Sequence, residues 1–251
     1  QVPGFGFLDK GTCAFTGFDV DFCKALAAAV FGDATKVEYR AVTAAQRFPA
    51  LQSGEIDVLI RNTTRNLTRD TDNTGNFVST TFYDGQGIMV PTKLKVAKLA
   101  DLKGATICVQ TGTTTGPNLA EYMAANKVDY KPLVVDTADA AIAAYEAGRC
   151  DAFTTDKSGL SARISTLKTP ADTVILDLTL SKEPLGPMVR HGDDQWFDIM
   201  QWTVFTTILA EEFGITSANV ADVKAKDARP EVKRLTGADA NAKMGAKLGL
   251  G

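Results

Sequence analysis

The sequence predicts an α/β fold with largely parallel sheets, and three observations carry that expectation. Strand-like and helix-like segments alternate along most of the chain. Two of these units share one pattern: a helix stopped by Gly, two residues, Asp, a buried strand and a polar tip. Leu51-Gln-Ser-Gly-Glu-Ile-Asp57 heads the first and Tyr145-Glu-Ala-Gly-Arg-Cys-Asp151 the second. The tips are polar where the strands end, and open α/β sheets hold ligands outside the carboxyl ends of their strands. Similar halves of this kind predict two lobes facing each other across a cleft; chance likeness between short α/β units is the alternative.

The elements follow in order. Residues 1–7 carry a Pro and two Gly and read as a loop. Phe22, Leu26 and Val30 recur at helical spacing over 22–31. Residues 37–42 read as a strand, and 45–53 as a short helix ended by Gly54. The apolar run 56–60 has the length and branching of a buried strand, and the decapeptide 61–70 is the loop at its end. Strands are expected over 80–90, 106–110, 131–135, 150–154 and 174–178, with 184–189 running back. A turn or short helix is expected at 100–104, and helices at 118–125 and 138–147. From 194 to about 248 the pattern is mainly helical.

The 251 residues suit one large domain or two small ones. A net charge of -3 leaves no basic stripe for neutralising phosphates, which argues against a nucleic-acid partner. No apolar run approaches membrane-spanning length. Signal-peptide features are absent, as they would be from a mature chain. Cysteines stand at 13, 23, 108 and 150 without metal-ligand spacing, and the chain has one histidine, so no metal and no cofactor is expected. The even cysteine count fits disulfides in an oxidising compartment and buried free thiols alike.

Three tips carry the chemistry. The first offers Asn62, Thr64 and Arg69, with Arg69 the better candidate for a bidentate carboxylate clamp and Arg65 equally able to face solvent. The second, Gly112 to Thr115 with Thr113 and Thr114 between, opens a helix. Its hydroxyls, free amides and helix dipole make an anion site, although a threonine there can also simply cap the helix. The third is Asp156, fit to accept from an ammonium group or to cap the helix from Lys157. Together a cationic clamp, a hydroxyl-rich anion site and a carboxylate describe a receptor for a zwitterion of amino-acid size. Arg69, Thr64 and Thr114 would hold its carboxylate and Asp156 its amine.

These residues bring a resemblance with them. Gly17-Phe-Asp-Val-Asp21, residues 51–57, Gln110-Thr-Gly-Thr-Thr114 and residues 148–156 resemble the type II periplasmic substrate-binding proteins of polar amino-acid ABC transporters. Phe18-Asp-Val-Asp-Phe-Cys23, Val109-Gln-Thr-Gly-Thr-Thr-Thr115 and Ser181-Lys-Glu-Pro-Leu-Gly-Pro-Met-Val-Arg-His-Gly-Asp-Asp-Gln-Trp196 are similar to its general L-amino-acid-binding branch. The resemblance covers nearly the whole chain. It implies a two-lobed fold, each lobe a mostly parallel sheet flanked by helices, joined by hinge strands near 85–90 and 182–187. The lobes would be residues 1–87 with 185–251, and residues 88–184. By position, Arg69 falls on the family's carboxylate-binding arginine, Thr64 and Asn62 on first-lobe contacts, Thr114 on the second-lobe contact and Asp156 on the amine-binding acid. Thr113, Phe5 and Phe82 complete the expected ligand-binding set. The implied function is capture of an amino acid by hinge closure in the periplasm, by a monomer that delivers it to an inner-membrane permease.

The chain also departs from that pattern. The first strand of lobe 1 is missing before Gln1 and the branch normally continues past Leu250, so the chain is expected to be a segment cut at both ends. An aromatic residue is usual where Arg65 stands, and Val2 and Ala44 occupy the positions that carry aromatic shelves in binders of basic amino acids. γ-Aminobutyrate is therefore an alternative ligand to an L-α-amino acid. Cys108 and Cys150 precede two tips of one lobe on strands able to lie side by side, which predicts a disulfide; a Cys13–Cys23 pair is the weaker case and stays open, because the resemblance implies a partner for Cys23 in the missing strand. Two other classes share the scaffold: a sensing module of a receptor or engineered sensor, and a dehydratase-like enzyme. An enzyme needs a free acid or base. Asp156 is assigned to the amine and His191 lies in a turn-like stretch, so no catalytic residue is expected.

Overall fold

The computed structural model describes residues 2–9, 11–72, 75–242 and 244–250; Gln1, the head of the expected opening loop, lies outside the described residues. The strands are β1 (Phe7–Leu8), β2 (Phe15–Thr16), β3 (Val58–Leu59), β4 (Asn76–Phe77), β5 (Phe82–Pro91), β6 (Thr106–Gln110), β7 (Lys131–Val135), β8 (Ala152–Asp156), β9 (Thr173–Ile175), β10 (Lys182–Leu185) and β11 (Met188–Val189). The helices are α1 (Phe18–Phe31), α2 (Arg47–Ser53), α3 (Leu67–Thr71), α4 (Thr115–Ala125), α5 (Ala138–Glu146), α6 (Lys157–Ile164), α7 (Asp194–Glu212), α8 (Val220–Lys226), α9 (Pro230–Thr236) and α10 (Met244–Lys247). Among the described residues no helix is long and apolar enough to cross a membrane.

The chain forms two compact units, one of Gln1–Val20 with Tyr39–Arg190 and one of Asp21–Glu38 with His191–Gly251. The first holds a six-stranded sheet in the order β10-β5-β8-β6-β7, with β9 also paired to β5. Its centre is parallel, because β6 pairs in parallel with both β7 and β8. Parallel pairing needs long crossovers, and α4 and α5 supply them between β6, β7 and β8. β5 runs antiparallel to β8, β9 and β10.

Side chains alternate across this sheet, and both faces are buried, as expected of helix-covered sheets. Ile88, Val90, Ile107 and Val109 pack with Leu119 and Met123 of α4. Met89, Cys108 and Phe153 pack with Tyr145 of α5 and Leu160 of α6. The expected Cys108–Cys150 disulfide lies in that second cluster with a Cα–Cα distance of 5.7 Å. Cys13 is exposed and Cys23 half-buried. A three-stranded antiparallel sheet, β3-β11-β4, seats Met188 between Leu59 and Phe77. Leu51 of α2 closes that cluster.

The second unit is helical, as expected beyond residue 194. α9 packs on both α7 and α8. Pro230 starts α9 where its missing N–H costs nothing, and Gly237 ends it at φ +70. The Arg229 guanidinium lies 5.4 Å from the Phe213 ring centroid.

Several expectations change. Residues 37–42 form no ladder. Tyr39 instead stacks on Phe15 at 4.8 Å, and Val42 packs against the Leu51 cluster. The 56–60 strand contracts to Val58–Leu59. The 174–178 strand stops at Ile175, because the Leu178 N–H closes a tight turn on the Leu176 carbonyl. The 61–70 loop ends in helix α3, which Asn66 caps by accepting from the Arg69 N–H at 2.9 Å.

Candidate ligand-binding site

The first tip follows β3. Arg69 sits in the first turn of α3, which aims its guanidinium back along the tip. There Nη1 donates to the Thr64 carbonyl at 2.9 Å and the cation lies 5.1 Å from the Phe48 ring centroid. Arg65 faces the other way, half exposed and 3.7 Å from the Asp70 carboxylate. The Asn62 backbone N–H donates to Asp19 at 3.0 Å and its side-chain amide to Asp156 at 3.4 Å.

The second tip follows β6. Gly112 is needed there, because φ is +72 and an added Cβ would stand 2.7 Å from the Ala45 backbone. Thr113 donates its hydroxyl to the Gln110 carbonyl at 2.7 Å. Thr114 occupies the N-cap position of α4, but its side chain makes no capping bond. Its hydroxyl donates instead to Glu183 at 3.0 Å. The third tip behaves alike: Asp156 is at the N-cap position of α6 and makes no capping bond.

Glu183 of β10 had no role in the sequence reading. Its carboxylate is 1% exposed. One oxygen accepts from Thr64 at 2.5 Å and from Thr114 at 3.0 Å. The other accepts from Asn118 at 2.7 Å and Ser181 at 2.5 Å. A buried carboxylate with this many donors is well satisfied. The signal was present as the lone acid heading the apolar stretch 184–189.

A single cavity brings together Asn62, Thr64, Thr113, Thr114 and Asp156 of the expected set, with Val2 and Ala44 in its wall. Arg69, Phe5 and Phe82 do not line it. Phe5 packs edge-on against Phe82 at 5.1 Å and Phe18 at 5.9 Å, and it lies with Val2 and Leu185 in a small apolar cluster. Three further arginines do line the cavity, Arg47, Arg61 and Arg163. Arg47 is 3% exposed, in an apolar helix where a charge signals a special role. It donates to Thr63 at 3.3 Å and to the Gly112 carbonyl at 3.2 Å, so it joins two tips.

The electrostatics are those of charges held out of water. Burial pushes Asp156 up to about 7, helped by repulsion from Asp84 and Glu183; Asn62 and Arg47 act in the opposite sense. Burial also raises Asp19 to about 6, opposed by its bond from Asn62 and by Arg61. Arg47, Arg61 and Arg69 are all lowered by burial. The site therefore offers a buried carboxylate with no ion-pair partner among the described residues, sharing its cavity with guanidinium and hydroxyl groups. It can hold a small molecule that carries both charges.

The family description "bacterial extracellular solute-binding proteins, family 3" matches residues 1–212. The chain belongs to this family. Among its family relatives, the general L-amino acid-binding periplasmic protein AapJ of Rhizobium johnstonii is 55% identical over 236 residues, 94% of this chain and 69% of that protein. The glutamate/glutamine/aspartate/asparagine-binding protein BztA of Rhodobacter capsulatus is 50% identical over 250 residues, 99% of this chain and 73% of that one. A solved family structure, an ABC transporter periplasmic binding protein from Brucella ovis with glutathione bound, superposes with a TM-score of 0.95 at 48% identity. The match covers 100% of this chain and 78% of that one.

Proposed function

We propose that the protein captures an amino acid in the periplasm and delivers it, as a monomer and without catalysis, to the permease of an ABC transporter. One observation carries the reading. Asp156 is buried with a single side-chain hydrogen bond, from Asn62, and no cation in contact among the described residues, in a cavity shared with guanidinium groups. An uncompensated buried carboxylate is costly, and a ligand ammonium removes that cost. Arg69 stands outside the cavity lining and reaches the ligand carboxylate as the lobes close, having committed one of its N–H groups to Thr64. Thr64 and Thr114, which now donate to Glu183, and Asn62 and Thr113 beside them complete the grip. Phe5 and Phe82 back the wall behind Val2.

Capture proceeds by hinge closure. The hinge is the antiparallel pair β5 and β10, in register at Lys182–Gly85 and Glu183–Asp84. The moving segments are 88–184 against 1–87 with 185–251. The family match and its amino-acid-binding relatives support this reading. Calorimetric titration with the L-amino acids and γ-aminobutyrate tests it. Binding of one or more L-amino acids is expected; heat only with γ-aminobutyrate replaces the α-amino assignment, and no heat at all refutes the function. Arg69→Ala is expected to weaken binding at least about 30-fold, the lower end of the roughly 2–5 kcal/mol for truncating one member of a buried charge pair. Near-native affinity in that variant refutes the role of Arg69.

A further inference from the structure

Arg69, outside the cavity lining, is assigned one ligand carboxylate, while the lining itself carries three other guanidiniums, those of Arg47, Arg61 and Arg163. Nε of Arg47 and Nη1 of Arg61 are both shut off from solvent and have no hydrogen-bond partner among the described residues. Buried donors left unmade are rare and expensive, so each needs an explanation. Packing does not give one. Arg47 already spends Nη1 and Nη2 on Asn62, Thr63 and Gly112, which fixes its plane and leaves Nε as the remaining edge. Asp19 and Asp156 act on Arg61 as opposite charges, but neither accepts from Nη1.

The wall beside these arginines is made of small residues. Val2 and Ala44 stand in the lining, and its one aromatic residue among those described, Phe153, packs in the cluster with Met89, Cys108 and Tyr145. A third cation, Arg163, also lines the cavity and is bonded to Asp139. A lysine- or arginine-like side chain would therefore meet like charges in a desolvated place, which costs several kcal/mol. A carboxylate would meet unmade donors instead.

We propose that Arg61 and Arg47 form a second anion subsite, which receives the side-chain carboxylate of an acidic L-amino acid. This rests on the amino-acid reading above, with the main-chain carboxylate on Arg69 and the ammonium on Asp156. The subsite ranks ligands by side-chain charge: acidic first, the isosteric amide weaker, basic side chains weakest. A carboxylate is a charged acceptor and an amide a neutral one, and the difference in hydrogen-bond strength corresponds to about tenfold in affinity.

Calorimetry at pH 7 with L-glutamate, L-glutamine and L-lysine on the wild-type protein, and with the first two on Arg61→Gln, tests the subsite. In the wild type, glutamate is expected to bind about tenfold or more tighter than glutamine, with lysine weakest. In Arg61→Gln the glutamate-to-glutamine ratio is expected to fall toward one. Wild-type protein that binds glutamine or lysine as tightly as glutamate overturns the subsite, whatever the folding of the variant. An unchanged ratio in a variant with a native melting curve overturns the role of Arg61. Absence of heat with every amino acid removes the amino-acid reading itself, and this inference with it; binding without discrimination removes only the subsite.

Discussion

Replacing Asp156 by asparagine is expected to weaken ligand binding and strengthen the fold at the same time. The carboxylate is 8% exposed, and burial with repulsion from Asp84 and Glu183 raises it from 3.8 to about 7. A carboxyl whose folded value lies above its unfolded value binds the extra proton in the folded state between those two pH values. Stability is then full below 3.8 and is lost as pH rises through about 7. The gap of about 3 units, at about 1.4 kcal/mol each, sets a ceiling of about 4 kcal/mol on the penalty above pH 7. Asparagine keeps the shape and has no charge to desolvate. Urea denaturation at pH 8 is therefore expected to show Asp156→Asn more stable than wild type by up to about 4 kcal/mol, with the gain gone near pH 3. Calorimetry on the same variant is expected to show affinity reduced by about 2–5 kcal/mol, roughly 30- to 4,000-fold, because the ligand ammonium loses its counter-charge. A variant that is less stable at pH 8, or that binds amino acids like wild type, refutes the argument that Asp156 is an uncompensated charge awaiting a cation.

Other outcomes follow from the same contacts. Wild-type affinity is expected to fall about tenfold for each pH unit below about 7, since binding an ammonium requires Asp156 ionised; a flat profile between pH 5 and 7 contradicts this. Reducing Cys108–Cys150, which closes a 42-residue separation, is expected to cost about 4 kcal/mol in denaturant, and alkylation followed by intact mass measurement is expected to label those cysteines only after reduction. Gly186→Ala is expected to cost about 3 kcal/mol or more, because the added Cβ would stand 1.9 Å from the Ser79 carbonyl oxygen while the Gly186 N–H is held by Thr63 at 3.0 Å; an unchanged urea midpoint would show that the turn after β10 can yield.

Much of the fold was legible because it rests on local patterns. Helix, Gly, Asp and strand recur before both β3 and β8, and the apolar runs at 106–110 and 131–135 became strands with the expected bounds. The strand read at 37–42 is absent, and Tyr39 and Val42 there pack against Phe15 and the Leu51 cluster instead. α3 was hidden because a helix of five residues has too few apolar positions to show a period. Within the site, the tips marked Asn62, Thr64, Thr114 and Asp156 by composition, since strand ends of an α/β sheet converge. Arg47 was passed over because it stands among apolar residues of a short helix, where its charge looked incidental.

The sequence alone determined the α/β class, the polar tips and the Cys108–Cys150 pair, all of which depend on residue type at short spacing or on strand adjacency. Tertiary structure alone decided which charges lose their water together. That decision is made by contacts between residues far apart in the chain: Arg47 with Gly112, Asn62 with Asp156, Thr64 with Glu183. No local period encodes such contacts, and the free energy of a buried charge depends on all the groups that surround it. Among the described residues, a carboxylate without a cation in contact and two guanidinium N–H groups without acceptors, Arg47 Nε and Arg61 Nη1, come into being only when the chain has closed around them.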